Sequence, residues 1–582
     1  MRTAIAPYES MRPVVMGTRH AASAGHYLAA EAAFQILEAG GNAVDAGVAG
    51  GIALGVLESE YVGVAGVAPI LIYLAKTGEV VTLDGVGGWP QAATSDYFQK
   101  NHNGVIPKGV LRTVVPGAPS SWIEALSRYG TMSFAEVAEA AIRFASQGFP
   151  MYPMMAEMLA GEATSLAAWS SSAAIYLPGG RSPKVGELFL QRDLGRTLRY
   201  MADEERKARK RGGRKAGIKA ARDAFYKGDI ARTIAKFYQE NDGLLSYDDL
   251  ASYKTRYETP MKTRFAGIDV WGCGEWCQGP MFLQQLNMLD GVDLKGLGHN
   301  SAAYIHRLTE TIKLSAADRE AYFGDPNFVK VPISKLMSKE YARQRRDMVR
   351  ADRAFPDMPP AGDFKRSKAG GGSGMGSHNI AAKPPGDPYD TSYVAAVDRH
   401  GNALSATPSD GNMMAPIVPG TGLVVSTRGY QSWADPRHPS SVGPGKRPRL
   451  TPNPALAMVK GKFVMPFGTP GHDVQTQAML QTLCNIFVFG MHPQQAVEMP
   501  RFATYSFPSS ATPHEIEPAS LKMEGRIPRE VGEQLAKLGH KITWWPDRDQ
   551  LAGSMCLVYS DIKSGVISAA ADFRRSAYAI AS

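Results

Sequence analysis

Of the 582 residues, Thr391 offers the most chemistry. It stands at the head of Asp390-Thr391-Ser392-Tyr393-Val394-Ala395-Ala396-Val397-Asp398. Threonine is common in strands for steric reasons alone, so a Thr-Ser pair by itself says little. If the chain is cut before Thr391, however, one residue carries both a hydroxyl nucleophile and a free α-amine that can take its proton. A second segment, Gly468-Thr469-Pro470-Gly471, follows the strand-like Phe463-Val464-Met465 and precedes a helix-like stretch from Val474 to Phe489. Backbone N–H groups converge at such a helix start and suit a developing oxyanion, although an ordinary strand-turn-helix connection has the same pattern.

The flanking residues indicate which elements must hold these groups. The run after Thr391 continues into Gly401-Asn402-Ala403-Leu404-Ser405-Ala406-Thr407, which predicts a second strand after a tight turn from Asp398 to Asn402. Upstream, Lys368 to Gly376 and Lys383 to Pro388 have the composition of an exposed linker, so a bond at that junction is accessible. Near the start, Gly40-Gly41 ends an apolar-periodic helix (Leu28, Ala32, Phe34, Ile36, Leu37). Asn42 caps a second helix, which carries Val44, Val48, Ile52 and Leu54 on its buried side. Strands are expected at Ile70 to Tyr73 and Val80 to Leu83.

Several segments together resemble the γ-glutamyltransferase (glutathione hydrolase) family of N-terminal-nucleophile hydrolases. They are Ala30 to Ala32 with Leu37 to Ala46, Gly298 to Ala302, Ala317-Asp318-Arg319, Phe323 to Pro326, Gly445 to Pro448, Gly468 to Gly471 and Ala496 to Phe502. The resemblance implies an α+β fold, a four-layer αββα sandwich, and a proenzyme that cleaves itself at Asp390–Thr391. The products would be a large α-rich part, 1–390, and a smaller β-rich part, 391–582, which stay together as a heterodimer on one shared core. It also implies Ser409 as a second hydroxyl near the new N-terminus, and the backbone N–H groups of Gly471 and His472 as the oxyanion hole. The substrate class implied is a small-molecule amide, with no cofactor.

In substrate recognition the sequence departs from the family pattern. Val86, in Leu83-Asp84-Gly85-Val86, stands where the family has a carboxylate-binding arginine. Ser426 to Trp433 replaces an acidic segment, and Leu450-Thr451 replaces a serine pair, so Thr451 becomes the substrate-site candidate there. Trp276-Cys277-Gln278-Gly279-Pro280 resembles the amidohydrolase and acylase branch. Arg428 has two readings, a binder of a substrate carboxylate or a surface salt bridge. An acyl amide that is not strictly γ-glutamyl is the first expectation. A true γ-glutamyl donor is the second, and a non-catalytic binding protein on the same fold the third.

Composition narrows the remaining classes. With 44% hydrophobic and 20% charged residues the chain can fill a large core. No run of about eighteen apolar residues marks a membrane span. The opening stretch, broken by Pro7, Glu9, Arg12 and Pro13, lacks a signal-peptide pattern, so a cytoplasmic location is expected. Four cysteines make neither a disulfide framework nor a zinc pattern, and the twelve histidines show no metal spacing, so no metal is expected. The net charge of +9 is focused on Glu204 to Lys219, where eight of the residues 206–219 are Lys or Arg. Without interleaved aromatics or a nucleic-acid motif, this stretch reads as a solvated helical insertion, with no nucleic-acid partner.

Overall fold

The computed structural model describes residues 10–364 and 391–582. The expected linkers at 368–376 and 383–388 and the residue Asp390 lie outside the described residues. Two seven-stranded antiparallel sheets form the centre. The first runs Val15–Gly17, Ile567–Ala571, Cys556–Asp561, Phe463–Gly468, Ala455–Val459, Ile268–Gly272 and Met261–Phe265. The second runs Tyr578–Ala581, Ala21–Ala24, Val394–Val397, Ala403–Ala406, Ile70–Leu74, Glu79–Leu83 and Tyr257–Glu258. Each sheet therefore mixes strands from before and after Thr391.

Strand alternation divides the core in three. Tyr393, Ala395, Val397, Leu456, Val464 and Val558 are among the side chains that fill the space between the sheets. Val394, Leu404 and Ala406 point the other way, into a cluster with the helices Ala43–Leu57 and Ala118–Tyr129. Phe463, Met465 and Phe467 face the helices Gly279–Leu289, Ala302–Tyr322 and Gln475–Phe487. The predicted strands at 70 and 80 are present as Ile70–Leu74 and Glu79–Leu83.

The N-terminal helix pair is present as expected, with a different inner face. Helix Tyr27–Glu38 buries Ala29, Ala30, Ala32, Ala33 and Leu37, while Phe34 and Ile36 are only partly buried. Small residues face inward because the partner helix approaches closely, a Cβ at Gly50 lying only 3.2 Å from Ala33 Cβ. Helix Ala43–Leu57 buries all fifteen residues and not one side, being covered by the sheet below and further helices above. Asn42 caps it in a reciprocal box with Asp45. Asp398 ties this helix to the hairpin turn. Its carboxylate accepts from Ala43 N at 3.0 Å, His400 N at 2.9 Å and Asn402 N at 3.0 Å.

The basic stretch lies within helix Arg192–Tyr226, which breaks its helical geometry at Gly213. Its charges are not all solvated. Glu205 is fully buried and accepts from Phe134 N at 2.8 Å and Ala135 N at 2.7 Å, capping a neighbouring helix start. Arg214 donates to Leu126 O at 2.6 Å and Met132 O at 2.8 Å. All four cysteines are free and buried, and among the described residues no helix is long and apolar enough to cross a membrane.

Candidate active site

Thr391 precedes the strand Val394–Val397 and is buried. Its partner strand Ala403–Ala406 leads through Thr407-Pro408 to Ser409, and Ser392 N donates to Pro408 O at 2.9 Å. This return folds the chain so that Thr391 Oγ1 and Ser409 Oγ lie 2.7 Å apart. Ser409 Oγ also accepts a hydrogen bond from Arg428 Nη2. Because a guanidinium can only donate, Ser409 keeps its own hydrogen available for Thr391 Oγ1.

Arg428 has no exposed surface, so the surface salt bridge reading does not hold. Its Nε lies 3.2 Å from Asp410 Oδ1, and Nη1 donates to Tyr430 Oη at 3.0 Å. Asp410 also accepts from Ser426 Oγ and, at 3.3 Å, from Thr427 Oγ1. The guanidinium is thus held inside the protein by a carboxylate and aimed at Ser409. The Tyr430 ring stacks on His472 with centroids 6.2 Å apart. Gln431 then joins the two remaining candidates, since its Nε2 lies 2.9 Å from Thr451 Oγ1 and 3.0 Å from His472 Nε2.

The loop carrying Gly471 and His472 comes from the other sheet. Gly468 ends its strand against Tyr393, and a Cβ there would lie 2.4 Å from the tyrosine ring. Only glycine allows that approach, which brings the loop towards the residues next to Thr391. Gly471 has φ 122°, and His472 opens a short 3-10 turn before helix Gln475–Phe487. Asp473 fixes this turn. Its carboxylate accepts from Gln278 Nε2 at 2.7 Å and Ser510 N at 2.8 Å, pairs with Arg319 and lies 3.1 Å from His472 Nδ1. Burial pushes the Asp473 carboxyl up, but Arg319 and His472 outweigh it and hold it well below the usual range.

Three of the nine non-glycine residues with positive φ among the described residues lie here. Thr391, Asp410 and His472 have φ of 110°, 89° and 55°, in a region that side chains with a Cβ rarely adopt. For a β-branched threonine such a conformation costs on the order of 1–3 kcal/mol.

Val86 is placed differently. It is buried between the sheets with Trp276 and Cys277 and borders a cavity of about 300 Å³ lined by Trp89, Tyr253, Lys254 and Arg256 among others. Thr391, Ser409 and His472 do not line that cavity. The segments are nonetheless neighbours, because Trp89 Nε1 donates to Ser432 Oγ at 3.0 Å.

The sequence profile described as Gamma-glutamyltranspeptidase matches residues 29–582. The chain belongs to this family, which consists of hydrolases and transferases. It is 31% identical over 566 residues to the acylase ACY 1 proenzyme of Pseudomonas sp. (strain SE83), covering 95% of this chain and 91% of that protein. The solved structure of LmbA2991HD superposes with a TM-score of 0.89 at 34% identity, covering 98% of this chain and 99% of that one. Cephalosporin acylase from Bacillus halodurans superposes with a TM-score of 0.84 at 27% identity, covering 99% and 98%.

Sequence reasoning missed Asp410, Gln431, Arg319 and Asp473, because an ion pair or a bridging amide has no spacing rule. Family-like segments did carry some of them. Arg319 reaches Asp473, and Arg447 donates to Asp325 Oδ1 at 2.9 Å and Asp84 Oδ2 at 3.0 Å. The histidine spacing also concealed a cluster. His306, Glu310 and His540 present ligand-type atoms within 4.8 Å of one another. Part of this cluster is engaged, since His306 Nδ1 lies 2.9 Å from His540 Nε2 and Lys313 pairs with Glu310 at 2.8 Å, while His540 Nδ1 is buried without a hydrogen-bond partner among the described residues.

Proposed function

We propose that this chain is a self-cleaving proenzyme whose new N-terminal threonine, Thr391, hydrolyses or transfers the acyl group of a small amide. The contact between Thr391 Oγ1 and Ser409 Oγ, backed by Arg428, carries this reading. Thr391 Oγ1 attacks the amide carbonyl while the α-amine takes its proton and passes it to the leaving amine. Ser409, polarised by Arg428, donates to the threonine oxygen as charge builds. The N–H groups of Gly471 and His472 stabilise the oxyanion, and water or an acceptor amine then releases the acyl group. The strained Thr391 backbone favours cleavage of the bond before it. The two sheets with helices on their outer faces fit a four-layer αββα sandwich. The parts 1–390 and 391–582 would remain a heterodimer because both sheets interleave their strands.

A small acyl amide that is not strictly γ-glutamyl is the preferred substrate class. Val86 offers no charge to an α-carboxylate, and Arg428 already pairs with Asp410. A γ-glutamyl donor held by displaced residues is the second reading, favoured by Lys254 and Arg256 in the cavity beside Val86.

Denaturing electrophoresis and mass spectrometry of purified protein test the first step. Fragments of about 390 and 192 residues are expected, the second starting at Thr391, and Thr391→Ala should remain whole. An intact active chain, or a different new terminus, overturns the proposal. Side-by-side turnover of γ-glutamyl-p-nitroanilide, oxamate and glutaryl amides then separates the two substrate readings.

A further inference from the structure

Behind the nucleophile lies a cluster of buried polar side chains that the mechanism above leaves unused. The turn Glu58-Ser59-Glu60-Tyr61 leaves the end of helix Ala43–Leu57, and Tyr61 O accepts the Thr391 backbone N–H at 3.0 Å. Ser392 sets its hydroxyl beside Gly25. A Cβ at Gly25 would lie 2.0 Å from Ser392 Oγ and 3.0 Å from Glu58 Oε2, so glycine keeps open a gap bordered by both atoms. Glu60 Oε1 accepts from Tyr152 Oη at 2.5 Å. Its Oε2, together with Glu58 Oε2, Ser59 Oγ, Ser392 Oγ and His26 Nε2, makes no well-aligned hydrogen bond among the described residues, although Ser392 lies close enough to Glu58, and Ser59 to Tyr176, to influence their ionisation. All five side chains are at most 2% exposed. Buried polar atoms in native proteins are nearly always well paired, so a group of acceptors and hydroxyls with so few aligned hydrogen bonds marks a place suited to a further donor.

We infer that Glu58 is a positioning residue for the α-amine created at Thr391, acting through Ser392 as the counter-charge of the ammonium form. This rests on reading Thr391 as the N-terminus after cleavage. Before cleavage the Thr391 nitrogen is an amide whose single hydrogen goes to Tyr61 O. Hydrolysis of that bond consumes one water, its hydroxyl going to the Asp390 carboxyl and its hydrogen to the nitrogen. The nitrogen becomes basic and takes the proton of the Glu58 carboxylic acid, leaving an ammonium and a carboxylate with no other reactant.

The protonation state before cleavage fits this transfer. Burial pushes the Glu58 carboxyl up to about 7, against Ser392 and Arg575. Burial and then Glu58 push Glu60 up to about 8, against Tyr152. Other titratable and charged groups surround Glu58 and Glu60 or act on them electrostatically: the buried His26, Tyr61, Tyr152, Tyr176 and Cys556, with Arg575 and, at the surface, Glu157. On the hydroxyl side stands the Asp410–Arg428 pair. Arg575, the cation of this group, lies over the Tyr61 ring at 4.9 Å and donates to Gln550 O at 3.3 Å.

The amine must lose its proton to act as a base, so a neighbouring carboxylate sets the pH at which activity rises. Glu58→Gln should move the acid limb of kcat/KM to lower pH by about half a unit to one unit, whereas Glu58→Asp should keep it near the wild-type position. A cleaved and active Glu58→Gln variant whose limb is unmoved overturns the inference, whatever its maximal rate. If Glu58→Gln stalls as the precursor, a processed Glu58→Asp with the wild-type limb supports the charge role. Arrest of both variants assigns Glu58 to packing and overturns it. Absence of a fragment starting at Thr391 in the wild type would instead sink the underlying reading.

Discussion

Thr391 Oγ1 and Ser409 Oγ lie 2.7 Å apart, and the second oxygen is also held by the buried guanidinium of Arg428. The pair therefore sits at the end of a relay, Asp410 to Arg428 to Ser409 to Thr391, in which each group restricts the next. Replacing Ser409 has two consequences. Ser409→Ala should lower kcat roughly 10- to 100-fold on the processed enzyme, because one donor to the threonine oxygen disappears. It should also cost about 1–2 kcal/mol of stability, since Arg428 loses an acceptor in a dry site. Turnover at the wild-type rate would remove Ser409 from the mechanism. A melting temperature equal to the wild type would show that Arg428 does not depend on it.

Asp410 and Arg428 are both buried, so removing one charge should be worse than removing both. Arg428→Met alone leaves an uncompensated buried carboxylate and should destabilise by about 3–5 kcal/mol. The double change Arg428→Met with Asp410→Asn should recover much of that loss while staying inactive. Denaturant unfolding of the single and double variants measures the difference, and equal losses would show that the two charges are not energetically coupled.

The precursor and the processed enzyme should respond differently to pH. In Thr391→Ala no new amine forms, so Glu58 and Glu60 keep the raised values of about 7 and about 8 that burial gives them. The native state then binds more protons than the unfolded chain between the ordinary carboxyl range near 4.5 and those values. The stability they confer is complete below that range and is lost as pH rises through the folded values. Thermal melts of Thr391→Ala should fall between pH 5 and 8 on this scale. The slope should flatten when Glu58→Gln and Glu60→Gln are added, and an unchanged slope would mean that these carboxyls do not titrate in that window.

Glu205 tests whether the basic stretch has a structural role. Its buried carboxylate holds two backbone N–H groups at the start of a neighbouring helix. Glu205→Ala should cost about 2 kcal/mol, read as a lower denaturant midpoint, with kcat of the processed enzyme unchanged. No loss of stability would return the stretch to a purely solvated helix.

The local pieces are legible in the residues alone. The apolar run after Thr391, the Asp398–Asn402 turn, the Asn42 cap and the strand before Gly468 follow from strand composition, turn residues and capping chemistry, and each is found in place. The family-like segments brought Thr391, Ser409 and the Gly471–His472 loop to notice together. How distant side chains meet is a matter of packing and is not written in any local pattern. Val394, Leu404 and Phe463 would look equally apolar in any packing, and only the stacking of two sheets sends Tyr393 against Gly468. Arg428 has the composition of a surface residue, yet the return of the chain through Ser409 and Asp410 buries it beside a carboxylate. The polar cluster around Glu58 was invisible for the same reason. A buried carboxyl and an exposed one are the same letter, and burial is a property of everything packed around it.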